Sequence, residues 1–343
     1  MKAAILNDFG SIVCKEVPTP GIGREEALVK VLYGGICGTD NHVYLGHHPT
    51  ATTPRVLGHE FVGELVDIDT SLDIGIKKGD KVVVQPYYAC GVCEPCITGS
   101  DNVCDSLKIL GVHQDGCFAQ YVTVPSKKLY RLPEGVDLKM ATLIEPIAVA
   151  VHDVWESGLR VDDTVLVIGG GPIGLLIALI ARTAGAKKIL ISEVNEYRLA
   201  VAEKMGFDVI NPVKQDVMEE TSKQTDGKGF NVVFEASGTK SGAAVMTEAA
   251  ATRGTIVVVG VPSDIYPINS GKMLAKELKM IGVRIHSQAA FKHAVSIVGS
   301  RVIEKELNLI IDKEFSYKQM SDAMKFSLED AEHIKICIRV DHE

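Results

Sequence analysis

One stretch constrains the fold of this chain more than any other. The apolar run Val165-Leu-Val-Ile168 is followed at once by Gly169-Gly-Gly-Pro-Ile-Gly174. Four consecutive apolar residues suit a strand covered on both faces. The G-x-G-x-x-G pattern lets the backbone turn sharply and open a helix, which ends near Gly185. A second strand, Lys188-Ile-Leu-Ile-Ser192, leads into Glu193, 24 residues beyond the first glycine. Further apolar strands at Asp208–Ile210, Asn231–Phe234, Thr255–Val259 and Met280–Val283 alternate with helical stretches at 196–205, 240–252 and 271–277. Six parallel strands with helices between them predict a doubly wound α/β sheet.

In such a sheet the free N–H groups at the first helix start face a pyrophosphate. That makes Gly169, Gly171, Pro172, Ile173 and Gly174 candidate cofactor-binding residues. Glu193 stands where a carboxylate accepts hydrogen bonds from an adenosine ribose and repels a 2′-phosphate, which favours NAD over NADP. Arg198, five residues on, either covers the adenine or pairs on the helix surface. Gly260 and Val261 follow the fifth strand, where ligands enter sheets of this kind. A plain strand-to-helix turn is the competing reading of the glycines, and the flanking strands with Glu193 weigh against it.

The first half of the chain has another texture. Residues 1 to about 35 read as β, and Phe61–Ile68 and Lys81–Val84 are further short strands separated by glycine and proline turns. Many short strands with little helix predict a partly closed barrel. Among them, on strand ends and loops, lie Cys37, His59 and Glu60, with Glu145 downstream near the start of a helix spanning 140–157. A thiolate, an imidazole and carboxylates are the donors of a zinc ion that keeps one position open. Cys37 and His59 bind directly, and Glu60 and Glu145 compete for the third place. A buried cysteine and a core histidine are the alternative, but two glutamates in apolar runs would then be costly unpaired charges.

Cys90-Gly-Val-Cys93-Glu-Pro-Cys96 and then Cys104 bring four thiolates into 15 residues. This spacing suits a closed tetrahedral zinc site that holds a lobe together, against a redox pair or an iron–sulfur cluster. Cys14, Cys117 and Cys337 sit singly in apolar surroundings and read as inert core thiols. With 343 residues the chain suits two domains, and 36 basic against 44 acidic residues give a net charge of −8. An acidic balance argues against a nucleic-acid partner. The opening residues are too short and polar for a signal peptide, and the longest apolar run, Ile173–Ala181, cannot span a membrane. A cytoplasmic protein with reduced cysteines follows.

These motifs together resemble the zinc-dependent medium-chain alcohol and polyol dehydrogenases over essentially the whole length. The matching stretches are Cys37-Gly-Thr-Asp-Asn-His42, Gly58-His-Glu-Phe-Val-Gly63, the four-cysteine lobe, Glu145-Pro146, and Gly169 to Gly174 with Glu193. The resemblance implies a GroES-like catalytic domain (1–148 and 288–343), a Rossmann NAD-binding domain (149–287), and NAD with two zinc ions per subunit. Glu145 stands where simple alcohol dehydrogenases carry a cysteine, which is similar to the sorbitol dehydrogenase branch. Gly111-Val-His-Gln-Asp-Gly116 after Pro54-Arg-Val-Leu57 is similar to sugar-acid 5-dehydrogenases. Val194-Asn-Glu-Tyr-Arg-Leu199 and Gly116-Cys-Phe-Ala-Gln-Tyr121 resemble threonine 3-dehydrogenase instead. One departure is Asp69, where the family has a glycine; aspartate tolerates left-handed backbone better than most residues.

Such an enzyme must deprotonate a secondary hydroxyl. Thr39, two residues after Cys37, is the expected proton acceptor, and His42 passes the proton toward solvent unless it is an ordinary surface histidine. Arg284 and His286, just past the sixth strand, are candidate substrate residues, Arg284 as a carboxylate clamp or a surface ion pair. The expected substrate is a polyol or a sugar acid, with threonine as the alternative. A zinc-free quinone oxidoreductase or a NAD-sensing protein would not need Cys37, His59 and both glutamates. The apolar sixth strand ends the sheet and predicts homodimers, or dimers paired into tetramers.

Overall fold

The computed structural model describes residues 1–69, 74–262, 265–266 and 268–342. The chain forms two compact units, one of Met1–Glu145 with Ser287–Glu343 and one of Pro146–His286.

The first unit is built on a seven-stranded sheet. Its path runs Leu129–Arg131, Lys81–Val84, Glu60–Ile68, Glu26–Gly35, Lys335–Arg339 and Ile311–Ser316, with Tyr121–Pro125 also paired to Glu26–Gly35. Alternation places Ala27, Val29 and Val31 in the core, where Leu65, Val84 and Val122 pack with Met320 and Ile336 from the chain's end. The closing strand runs antiparallel to Glu26–Gly35 and matches Cys337 to Gly35. On its other side Gly35 pairs with Glu60. This register carries the C-terminal strand to the strand leading into Cys37. A three-stranded sheet of Ser11–Glu16, Lys2–Asp8 and Arg55–Val56 joins this core.

Two expectations change here. Cys14 is exposed, because on the strand Ser11–Glu16 only Ile12 turns inward; Cys117 and Cys337 are buried. The turn at Asp69 is solved by its side chain. Its carboxylate accepts the Glu25 N–H at 2.7 Å, and Glu25 takes the left-handed backbone, φ +59°.

In the second unit six strands run parallel in the order Asp208–Ile210, Lys188–Ser192, Thr164–Ile168, Phe230–Glu235, Ala250–Val258 and Lys279–Gly282. Val165, Leu166 and Val167 are wholly buried, as a strand covered on both faces demands. The helix Val217–Thr225 is absent from the sequence reading because Glu219, Glu220, Ser222, Lys223 and Gln224 mask its few apolar positions. Its signal was Asp216, which caps the Met218 and Glu219 N–H groups. The stretch expected as one helix over 140–157 divides into Leu138–Ala141 and Ile144–Ser157.

Candidate functional site

Cys37 lies two residues past the strand Glu26–Gly35 and caps a short helix, Gly38–Tyr44, where loop was expected. Asp40, in the first turn of that helix, is buried and organises what surrounds it. One carboxylate oxygen accepts the Cys37 N–H at 2.9 Å; the other accepts the Gly58 N–H at 3.0 Å and lies 3.7 Å from His59 Nδ1. Gly58 has φ +94° and no room for a side chain, since a Cβ would stand 2.6 Å from Cys117 Sγ. A Cβ on Gly116 would collide with the Gly58 carbonyl, so the runs 56–60 and 111–117 press backbone to backbone.

This packing presents His59 and Glu60, 5% and 1% exposed, beside Cys37. One ligand atom from each of the three lies within 4.8 Å of the others. Glu145, buried in the first turn of Ile144–Ser157, is outside that set but close enough for its charge to act on His59 and Glu60. The sequence reading missed Lys335, whose ammonium lies 2.7 Å from Glu60 Oε1 and 2.5 Å from Oε2. Its one signal was a lysine opening an otherwise apolar last strand.

The electrostatics identify a place for positive charge. Burial pushes the His59 imidazole down, yet Asp40, Cys37 and Glu145 together hold it well above its ordinary value. Burial raises the Glu60 carboxyl, Lys335 pulls it down, Glu145 pushes it up, and it ends above the usual range. Burial alone would lower the Lys335 ammonium, but Glu60 and Cys37 raise it. The carboxyls of Asp40, Glu60 and Glu145 and the Cys37 thiol gather around His59, with Lys335 the lysine ion-paired among them, so a divalent ion would meet more acidic groups than basic ones here. The donor set therefore fits zinc.

Thr39 and His42 lie on the helix after Cys37, the first half-buried and the second exposed. Beyond them is a chain the sequence reading did not find. His113 Nδ1 accepts the Ile109 N–H at 3.0 Å, so Nε2 carries the proton and donates to Thr50 Oγ1 at 2.9 Å. Thr50 in turn lies 3.4 Å from His48 Nδ1. It ties the loop after the helix to the run 111–116.

The second cysteine set is compact. Sγ separations are 3.4 Å for Cys93–Cys96, 3.8 Å for Cys93–Cys104 and 3.9 Å for Cys90–Cys96. Four sulfurs around one tetrahedral zinc sit about 3.8 Å apart. N–H groups of Cys90 and Ser106 point at Cys104 Sγ, and that of Cys93 at Cys90 Sγ. Backbone donation from Val92 and Cys93 lowers the Cys90 thiol to about 6, whereas desolvation raises that of Cys96 to about 12.

In the second unit Gly169 takes φ +104°, where a Cβ would press on Ala236 and Ser237. Gly171 caps the helix Pro172–Thr183, whose first residues are Pro172 and Ile173. A Cβ on Gly174 would collide with the Gly169 carbonyl. Glu193 is buried and accepts three backbone N–H groups, from Gly170 at 2.7 Å, Val194 at 2.7 Å and Asn195 at 2.9 Å. A cavity of about 330 Å³ lies against Gly169, Gly171, Glu193, Arg198, Ser237 and Thr239. Arg198 is thus in the cavity wall, with no hydrogen-bond partner on Nε among the described residues. Gly260 packs against Gly238, while the Val261 side chain is 78% exposed and outside that wall. Arg284 is exposed, and His286 is wholly buried in the unit. Among the described residues no helix is long and apolar enough to cross a membrane.

Comparison with known proteins adds two domain matches and three relatives. Residues 23–134 match the alcohol dehydrogenase GroES-like domain and residues 172–300 the zinc-binding dehydrogenase domain. A 2-dehydro-3-deoxy-L-galactonate 5-dehydrogenase of Pseudoalteromonas atlantica is 38% identical over 81% of this chain and 82% of its own. A sorbitol dehydrogenase of Halalkalibacterium halodurans is 33% identical over 98% of this chain and 99% of its own. A zinc-binding dehydrogenase of Sinorhizobium meliloti, solved with NADP, superposes with TM-score 0.92 at 32% identity over 98% of both chains.

Proposed function

Since the chain belongs to the zinc-dependent medium-chain alcohol dehydrogenase family, we propose that it transfers hydride between NAD and a secondary alcohol of a polyol or sugar acid. The observation that carries this reading is the meeting of Cys37, His59 and Glu60 within 4.8 Å, with Asp40 and Glu145 close enough for their charge to act on His59.

Cys37, His59 and Glu60 would hold the catalytic zinc, with Glu145 adding its charge alongside. Bound there, zinc supplies the Lewis acidity that lets an alcohol lose its proton near neutral pH. Asp40 fixes Cys37 and His59 through the Cys37 and Gly58 N–H groups, so the donors need no rearrangement. Thr39 accepts the substrate proton on its hydroxyl, and exposed His42 passes it to water. Cys90, Cys93, Cys96 and Cys104 would hold a second zinc with no open position, which fastens their lobe. The glycine turn takes the pyrophosphate and Glu193 the ribose hydroxyls, its charge disfavouring a 2′-phosphate. Arg284, exposed and cationic, clamps a substrate carboxylate when the substrate is a sugar acid. The edge strand Lys279–Gly282, flanked by exposed Ile265 and Leu274, pairs with a second copy.

Metal analysis combined with a nucleotide-reduction screen tests the reading, using polyols, sugar acids and threonine with zinc added. Two zinc ions per chain and NAD-linked turnover of a polyol or sugar acid are expected. Fewer than two ions, or turnover of threonine alone, overturns the corresponding part. Replacing Glu193 with Ser is expected to relax an NAD preference of roughly tenfold, about 1.4 kcal/mol of charge repulsion.

A further inference from the structure

Glu235 ends the strand Phe230–Glu235, is wholly buried, and has no part in the chemistry above. Its carboxylate nonetheless accepts from three residues, Ser237, Gly238 and Tyr266. Oε1 accepts the Ser237 N–H at 3.0 Å, the Ser237 hydroxyl and the Gly238 N–H at 3.2 Å. Oε2 reaches the same Gly238 N–H at 3.3 Å and accepts the Tyr266 hydroxyl at 3.5 Å. Its backbone carbonyl accepts the N–H groups of Val259 and Gly260 at 2.9 and 2.8 Å.

Two loops and a helix start meet at this residue. The loop 236–239 forms part of the cavity that also touches Gly169 and Glu193, and a Cβ on Gly169 would stand 2.9 Å from Ser237 N. A Cβ on Gly260 would collide with Gly238 N and stand 3.0 Å from Glu235 Oε2. On Gly242, which opens the next helix, it would stand 2.9 Å from Oε1. A side chain at Gly242 would displace the Ser237 hydroxyl, and one at Gly260 the Gly238 backbone, both of which the carboxylate holds. A buried carboxylate held by N–H and O–H donors fixes those donors in direction; here one donor, Ser237, belongs to the cavity wall, and Gly238 lies between the wall residues Ser237 and Thr239.

We propose that Glu235 is a positioning residue for nucleotide binding, locking the loops 236–239 and 259–260 in the shape the cofactor enters. This rests on the dehydrogenase reading. A neutral amide at Glu235 would turn an N–H₂ toward donors that need an acceptor, so the loop would be held less closely. The nucleotide then spends binding energy on ordering its own site.

The test is titration of the zinc-loaded protein with NADH and with NADPH, followed by their fluorescence, for the parent, Glu235→Gln, Ser237→Ala and Tyr266→Phe. Glu235→Gln is expected to raise the nucleotide Kd about tenfold. Zinc content and the alcohol KM at saturating nucleotide stay at parent values. Ser237→Ala, and more weakly Tyr266→Phe, move the Kd in the same direction, and they carry the test if Glu235→Gln does not fold. An unchanged Kd across the folded variants, or a lowered Tm with Kd per folded molecule unchanged, overturns the proposal and leaves Glu235 a purely structural acid. A parent that binds neither nucleotide overturns the dehydrogenase reading and this one with it.

Discussion

The two cysteine-containing sites of the first unit solve the same problem of gathering metal donors in opposite ways. The lobe of Cys90, Cys93, Cys96 and Cys104 takes every donor from 15 residues of chain and sits largely at the surface. Backbone N–H groups steady its thiolates, and no carboxylate belongs to the set. The site of Cys37, His59 and Glu60 takes its donors from a helix cap and a strand start, and balances Glu60 with Lys335 from the chain's far end. The first needs only a local fold. The second is buried charge, tolerable because the whole unit has closed around it. A site that can be built locally serves stability, while one that must present an open position to a substrate is built from the finished fold.

Four experiments sharpen or break that contrast. Cys37→Ser is expected to cost on the order of 10³-fold in turnover with a Tm near that of the parent, because it removes a donor from the reacting centre alone. Equal loss of folding would break the division. Cys93→Ser is expected to lower Tm by roughly 10 °C in calorimetry and to release one zinc, since the closed site contributes directly to folding. A variant that keeps its Tm would contradict a structural role.

Lys335→Met comes next. It leaves Glu60 buried without its partner and is expected to cost about 3 kcal/mol in urea unfolding of the metal-stripped protein. Zinc loading should recover most of this, because the ion takes over the neutralisation. No difference between stripped and loaded protein would mean that Lys335 and the metal do not share Glu60.

The smallest effect is in the pH dependence of the stripped cysteine lobe, followed by hydrogen exchange over 90–104. Cys90 is lowered to about 6 in the folded state, so its contribution is full above the ordinary 9.0 and is lost as pH falls through about 6. Cys96 is raised to about 12, so its contribution is full below 9.0 and is lost as pH rises through about 12. Protection is expected to peak near pH 9. A monotonic profile would show that the two thiols do not divide their roles.

What was legible in the sequence follows the same line between local and assembled. Val165 to Glu193 gave its βαβ unit because each decision is taken within a few residues: an apolar strand, a glycine turn, a helix start. The four cysteines announced themselves by spacing. Cys37, His59 and Glu60 could be nominated by chemistry, but that the closing strand runs beside Glu60 could not be read before the register of Gly35 with Glu60 and with Cys337 was known. Lys335 was invisible as a partner because 275 residues separate it from Glu60. Glu235 lay just past the strand expected at Asn231–Phe234 and was given no role; its many donors emerge only when two loops and a helix start converge on it. Cys14 was misjudged because a surface strand and a core strand share the same apolar letters.

The closing strand Lys335–Arg339 has a consequence for how this protein is made. During synthesis the lysine that balances Glu60 is translated 275 residues after it. At about 5–20 residues per second the wait lasts tens of seconds, while the second unit, whose contacts lie within 146–286, is free to fold. Through that interval the strand Glu26–Gly35 keeps one edge open along Tyr33 to Gly35, and it closes only when the C-terminal strand is released. The nascent chain therefore completes the surroundings of Glu60 only after the whole second unit has been made.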